Sequence, residues 1–385
     1  MTILDRLTRA TNSRNFIPEI DGFRFFAIIT VLMMHLNISF SRITGYDYTQ
    51  GLTCLASLGW FLNRGGIGVP VFFSISGFIL GMPFIRYYIN KDTSTLYDKP
   101  SLKKYYLRRL TRLEPPFIIA VLGFFILESI LSIQPPGSAS IGHLLSTIFY
   151  SHCLIYNDWS TINPVTWSLE TEVQFYILAP FLCKWLFGTG KKAIPITVTI
   201  MAIVLLLSNI FHIEIDSAHL GYSIVHFLPY FMVGFLVAYI YLNRKDFLNK
   251  KSILFDFVGV VSIFMLFYFA FGYFWPDLGF VVFLFFLFIS VFKGKYLNKF
   301  FTSKLIYVIG GMCYTIYLLH YPFFYFICKF TAPFAQFDSH ALNYLIQFVV
   351  VIPILLVVCS IFYILIEKPC MDKTWPQKLW AFIRK

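Results

Sequence analysis

Apolar residues along this chain gather into long runs separated by short polar stretches. The runs lie near 22–41, 67–88, 115–135, 167–187, 193–212, 222–243, 253–272, 275–292, 305–328 and 341–366. Each is close to the roughly 20 helical residues that cross a bilayer core. The pattern predicts an all-α integral membrane protein, a bundle of about ten transmembrane helices. It divides into a cytoplasmic segment 1–21, one transmembrane domain 22–370 and a basic tail 371–385. The weakest interruption falls around Pro276 and Asp277, between the seventh and eighth runs. Asp21 and Arg24 break the start of the first run and no small-residue cleavage site follows it, so it is expected to stay as a helix. The longest polar stretches, 42–66 and 89–114, are too short to bury a core of their own. No soluble domain is therefore expected, and any chemistry has to happen inside the bundle or at its faces. No internal repeat is visible in the apolar pattern, which weakens a transporter built from inverted halves.

The distribution of positive charge tests that span count, because cytoplasmic loops of membrane proteins concentrate Lys and Arg. Assigned to alternate sides, 27 of the 31 basic residues fall with the termini and the even-numbered loops. Only Arg42, Arg64 and Lys329 fall opposite, and Arg24 sits at the start of the first run. Both termini are expected in the cytoplasm. The net charge of +12 then needs no nucleic acid to explain it. With 58% hydrophobic residues and 13% charged, the chain is too apolar to cover a soluble globule. Its seven cysteines lack the paired spacing of metal sites or disulfide frameworks and are read as small buried hydrophobes, with no metal expected.

Ionisable residues inside spanning helices are costly and so mark candidate function. Arg24, His35, Glu170, Glu172, His226 and His320 stand out within the runs. Arg24 and His35 are eleven residues apart, which brings them within about 20° on one helix face, roughly 16 Å apart along its axis. The first would grip an anionic ligand at the inner mouth while its far end reaches the second. Imidazole is the side chain best matched to taking a proton from a hydroxyl near neutral pH, although a buried histidine can equally serve to bond a neighbouring helix. Arg109 and Arg112 share a helix face and suit phosphate oxygens; anchoring at lipid headgroups is the alternative. Glu170 and Glu172 point to nearly opposite faces, and Glu172 is expected to be the inner one, either orienting an imidazole or an acceptor or pairing with an arginine. The small residues of Gly68–Phe78 read as helix packing. His320 precedes Pro322, where a kink is expected, and reads as structural before catalytic. Glu367 reads as a partner for the arginines.

Taken in order, these pieces resemble the membrane acyltransferase type 3 family. The matching residues are Asp21-Gly22-x-Arg24, Arg24 with His35, Gly-Val-Pro-Val-Phe-Phe at 68–73 with Ser76-Gly77-Phe78, and Arg109-x-x-Arg112. They continue with Trp167-Ser168-Leu169-x-x-Glu172 with Phe175-Tyr176, Tyr317-Leu318-Leu319-His320 and Glu367-Lys368-Pro369. The resemblance covers about residues 18–370. It implies ten spans in a bacterial inner membrane, a cytoplasmic acyl-CoA donor, acetyl-CoA foremost, and no metal. The acceptors it implies are O-antigen sugars of lipopolysaccharide, other surface polysaccharides such as capsule or exopolysaccharide, peptidoglycan, lipids or macrolides, a hydroxyl of a cell-envelope glycan or glycolipid foremost. It makes Arg24 and His35 the essential pair, Arg109 and Arg112 the basic motif that holds the coenzyme phosphates, and Glu172 the acid; Glu170 and His320 remain secondary candidates. At Cys313 the resemblance leads one to expect a small polar residue, commonly serine. Some relatives carry an extracytoplasmic hydrolase-like domain; without one, the acceptor would enter the bundle from outside or a separate extracytoplasmic partner would receive the acyl group. A homo-oligomer fits as well as a monomer. His35 can act as base or as a nucleophile that is itself acylated. A flippase or secondary transporter of an envelope precursor is the rival reading, since it too places charges within a helical bundle.

Overall fold

Each of the ten apolar runs coincides with helix. The computed structural model describes residues 3–9, 16–45, 58–91, 98–131, 140–210, 221–270, 274–335, 337–372 and 374–377. Cys54, Arg14, Lys373, Lys378, Arg384 and Lys385 lie outside these residues, as do the run ends at 132–135, 211–212 and 271–272. The principal helices are α1 Pro18–Thr44, α2 Gly68–Asn90, α3 Leu102–Leu131, α4 Trp167–Phe187, α5 Ala193–Ile210 and α6 Ile224–Asn243. They continue as α7 Ile253–Tyr268, α8 Phe274–Lys293, α9 Lys304–Gly311, α10 Cys313–Thr331 and α11 His340–Phe362. Among the described residues there is no strand, only an isolated bridge between Ser252 and Gly294.

Among the described residues, six helical stretches are long and apolar enough to cross a membrane unaided, and a seventh follows if α9 and α10 count as one span. The others fall short for local reasons. α4 has the length but carries Glu170, Glu172 and Lys184, and α7, at 16 residues, is short. Burial separates inner from outer helices. α1 and α2 have 56% and 67% of their apolar windows buried, whereas α3 and the helix from His340 have 22% and 28%. Leu122, Ile126, Leu127 and Ile130 of α3 face outward, as do Val349, Val357 and Leu365 near the C-terminus. Exposed apolar surface on this scale is not sustained in water, and lipid is the medium that fits it.

Proline and glycine shape the bundle at identifiable points. Pro18 opens α1, where its missing N–H costs nothing, and Gly45 ends it in the left-handed conformation at φ 71°. Gly77 of α2 and Gly234 of α6 face each other so closely that a Cβ on either would lie 2.0 Å from a carbonyl oxygen across the interface. The small-residue stretch therefore does allow the close approach its composition suggested. Alanine at either position has to push the backbones apart at a cost of about 1–3 kcal/mol; the midpoint of thermal unfolding in detergent should fall for each, and an unchanged midpoint would show that the interface parts freely.

The predicted kink falls elsewhere. Helix α10 runs through Pro322 to Thr331, and the chain bends instead by 68° at Met312, between α9 and α10. Gly310 and Gly311 end α9, and a Cβ on Gly310 would sit 1.7 Å from the carbonyl oxygen of Asp21 on α1. The tight crossing and the low helix propensity of glycine place the break there. The last helix also departs from regularity: Tyr363–Glu367 forms a π turn before the short helix Lys368–Cys370. The described ends of the chain meet at one end of the bundle. Lys368 donates to the carbonyl of Arg6, and Trp375 Nε1 donates to Thr111 O at 2.8 Å.

Candidate active site

Buried charge collects where it can share partners, and here the sequence-selected residues of four helices do so. Arg24 of α1, Ser76 of α2, Arg109 and Arg112 of α3, and Glu172 and Tyr176 of α4 line a single cleft with a cavity volume of about 110 Å³, together with Tyr314 and Tyr317 of α10. Val69, Phe72, Phe73, Ile75, Ile79 and Leu80 supply its apolar wall. Two charged residues that sequence reasoning did not assign to the site also line it. Arg9 comes from the N-terminal segment, and Glu367 is delivered by the π turn.

The cleft is short of negative charge. Asp21 accepts from both Arg24 and, at 3.1 Å, Arg9, so one carboxylate serves two guanidiniums. Glu367 accepts from the backbone N–H and hydroxyl of Thr315 at 3.2 and 2.6 Å. Glu172 accepts from the Ser76 hydroxyl. Among the described residues no carboxylate lies within 4.0 Å of Arg109 or Arg112. Arg109 rests over the Tyr176 ring at 5.8 Å, and Nε of Arg9 and of Arg112 are buried without a partner. Guanidinium N–H groups left unsatisfied in a cavity are donors waiting for an acceptor from outside the protein. An elongated ligand with an anionic head and a less polar arm suits such a lining; coenzyme A thioesters have that form.

His35 lies outside this cleft and is bound to His320 instead. His35 Nδ1 and His320 Nε2 are 2.8 Å apart, across 285 residues of sequence. His320 Nδ1 lies 2.8 Å from Tyr317 O and 3.1 Å from Ile316 O, both acceptors only. The tautomers follow from that end of the chain. His320 must carry its proton on Nδ1, so its Nε2 accepts, so His35 must donate from Nδ1. Nε2 of His35 is left with a free lone pair in a fixed direction. His320 is fully buried, and Tyr321 meets the His35 ring edge-on at 5.1 Å while its hydroxyl accepts from Arg42 at 3.0 Å. His320 thus holds the other histidine, a role that spacing alone could not reveal.

Tyr317 joins the two places. It lines the cleft, bonds Ser168 Oγ through its hydroxyl at 2.8 Å, and receives the His320 proton on its carbonyl. Its ring centroid lies 5.5 Å from that of His320. One tyrosine layer therefore separates the arginine cleft from the histidine pair.

The remaining sequence candidates sit elsewhere. Glu170 is buried like its neighbours but accepts the backbone N–H groups of His152 and Cys153 at 3.0 Å each, which fixes the connection before α4. In that connection His143 Nδ1 and His152 Nε2 form a second imidazole pair at 2.8 Å, and burial holds the His152 pKa below its ordinary value. His226 packs on Phe227, and its Nδ1 is buried without a partner. Among the described residues no three His, Cys, Asp or Glu side chains form a group able to hold a metal ion.

Comparison with known proteins follows this geometry. No solved structure matches the chain. An O-acetyltransferase OatA of Staphylococcus aureus (strain NCTC 8325 / PS 47) is 27% identical over 396 residues, covering 97% of this chain and 60% of the relative. A peptidoglycan O-acetyltransferase OatA of Listeria monocytogenes serovar 1/2a is 26% identical over 336 residues, covering 80% of this chain and 50% of the relative. The chain thus spans between half and three-fifths of the length of these two relatives. The model of the acyltransferase domain matches residues 17–364, nearly the whole bundle with its arginine cleft and histidine pair, and the protein belongs to that family.

Proposed function

We propose that this protein is a multi-pass O-acetyltransferase of the bacterial cell membrane that moves acetyl from cytoplasmic acetyl-CoA to a hydroxyl of a cell-envelope glycan. The observation that carries the proposal is the juxtaposition of an anion-seeking arginine cleft with an oriented imidazole lone pair, one tyrosine layer away. The acetyl group and the glycan acceptor are supported by the names of the S. aureus and Listeria relatives, the second of which specifies peptidoglycan. The bias of basic residues toward one set of loops supports an inner-face cleft, with both chain ends in the cytoplasm.

In this reading Arg24, Arg109 and Arg112 bind the coenzyme phosphates, and the pantetheine arm runs along the apolar wall toward Tyr317. The acceptor hydroxyl reaches His35 from the other side. Its proton passes to Nε2 as the oxygen attacks the thioester carbonyl; the C–S bond breaks, and the thiolate leaving group takes the proton back from the imidazolium. The same lone pair would serve a two-step route, in which Nε2 itself attacks the carbonyl, the C–S bond breaks to release the CoA thiolate, and the acceptor oxygen then takes the acetyl from the imidazole as the hydroxyl proton passes to the thiolate. Glu172, bonded to Ser76 in the cleft wall, orients the donor.

The test uses purified protein in lipid nanodiscs with radiolabelled acetyl-CoA and a glycan-containing envelope extract. Released CoA and labelled glycan that both vanish in His35→Ala are the expected result. A folded protein that turns over no acyl-CoA in the presence of acceptor would overturn the reading and return the weight to a transporter.

A further inference from the structure

Arg9 is the one basic residue of the cleft that does not belong to a spanning helix, and it precedes the matched acyltransferase stretch 17–364. The segment that carries it is fastened on three sides. Leu7 is buried at 6% exposure within the main core, Asp5 pairs with Lys304 at the start of α9, and the carbonyl of Arg6 accepts from Lys368 beyond the π turn. Residues 3–9 thus lie as a strap across the end of the bundle where the cleft begins.

The electrostatics of Arg9 are incomplete. Its one carboxylate partner, Asp21, is shared with Arg24, and its Nε is buried with no acceptor. Burial first, then the neighbouring Arg24, push its pKa below the ordinary arginine value, with Asp21 acting in the opposite sense. Arg112, on the same cleft, has a buried unpartnered Nε as well. Two guanidiniums with spare buried donors, facing one cavity from different elements, make a site for an anion with several oxygens, and a phosphate ester is the chemistry they fit.

We infer that the N-terminal strap supplies Arg9 as a donor-selecting residue, which with Arg112 binds the nucleotide phosphates of the acyl donor and so favours coenzyme A thioesters over thioesters without a nucleotide. The inference rests on the acyltransferase reading and deepens it. Arg9 acts on binding of the donor head, so its loss leaves the chemical step intact once the donor is bound.

The experiment compares acetyl-CoA with S-acetylpantetheine, which has the same thioester arm and no phosphate, in nanodiscs of purely zwitterionic lipid. Arg9→Ala should raise KM for acetyl-CoA by about tenfold to a hundredfold, the worth of hydrogen bonds to a charged group, with kcat retained and KM for S-acetylpantetheine unchanged. Adenosine 3′,5′-bisphosphate should inhibit the parent protein competitively and the variant much more weakly. Arg9→Lys, which keeps the charge, should recover part of the loss and guards against a variant that fails to fold. Arg6→Ala, which removes an equal charge from an exposed side chain of the same strap, should leave both constants as they were. An equal change for both donors, or none, overturns the inference. So does an effect seen only when anionic lipid is added, which would assign the site to a lipid headgroup. A parent protein inactive with both donors sinks the acyltransferase reading itself, whereas an active parent matched by Arg9→Ala sinks the strap alone.

Discussion

Replacing His35 by glutamine should lower kcat by about 10²- to 10⁴-fold, the usual worth of a positioned general base, with little change in KM for acetyl-CoA. Glutamine keeps a donor able to meet His320 but has no titratable lone pair where His35 offers Nε2. The unchanged KM follows from geometry, since His35 does not line the cleft in which the donor head would bind. His320→Leu should also reduce kcat, by a smaller factor, because it keeps the base but removes the acceptor that fixes the base's tautomer. Paired kcat and KM measurements on both variants are the check. If His35→Gln retains parental kcat, the base lies elsewhere and the histidine pair is only a bond between α1 and α10.

Asp21→Ala should cost about 3–5 kcal/mol of stability, the scale for breaking a buried ion pair from one side. Its carboxylate is buried and bonded to both Arg9 and Arg24. Removing it leaves two positive charges facing each other on the same cleft with no counter-ion between them. Unfolding in detergent monitored by cysteine accessibility would read the loss, as the described cysteines other than Cys313 are buried. Coenzyme A added at saturating concentration should restore part of the stability, because its phosphates would replace the missing charge. Loss of stability without recovery by coenzyme A would mean that Asp21 is structural and the cleft does not take that anion.

How far the sequence could lead depended on the range of each interaction. Helix along the apolar runs was legible because a bilayer imposes a length on each run, and that demand is local, although among the described residues six helices, or seven with the bent pair, are long and apolar enough to cross a membrane unaided. The break at Met312 was not, because it depends on Gly310 meeting the backbone of Asp21, a contact between elements almost 290 residues apart. Pro322 misled for the complementary reason: the helix continues through it to Thr331. Arg24 and Glu172 stood out in advance as charges within apolar runs, which have few refuges, whereas Arg109 and Arg112, in the polar stretch before the third run, were joined to them by the resemblance to the acyltransferase family. Arg9 was hidden in a basic tail whose charge already had an explanation as an orientation signal. The alternation of Glu170 and Glu172 did separate their faces, Glu172 onto the cleft and Glu170 into burial on backbone N–H groups that no side-chain pattern advertises. The His35–His320 bond required the packing of α1 against α10.

The broken helix has one mechanical consequence. One half, α9, is locked to α1 at the Gly310–Asp21 crossing, and the other half, α10, is joined to α1 again through the two histidines. α1 is therefore gripped at two levels by segments that run in different directions, and a slide along its axis would have to undo both grips together. It serves as a fixed axle that holds Arg24 and His35 at a constant spacing. In the proposed reaction, substrate exchange then falls to parts held less firmly, such as the lipid-facing α3. A machine that rocks two halves about a central site has no use for such an axle, whereas one that passes a small group between two stationary sites needs it.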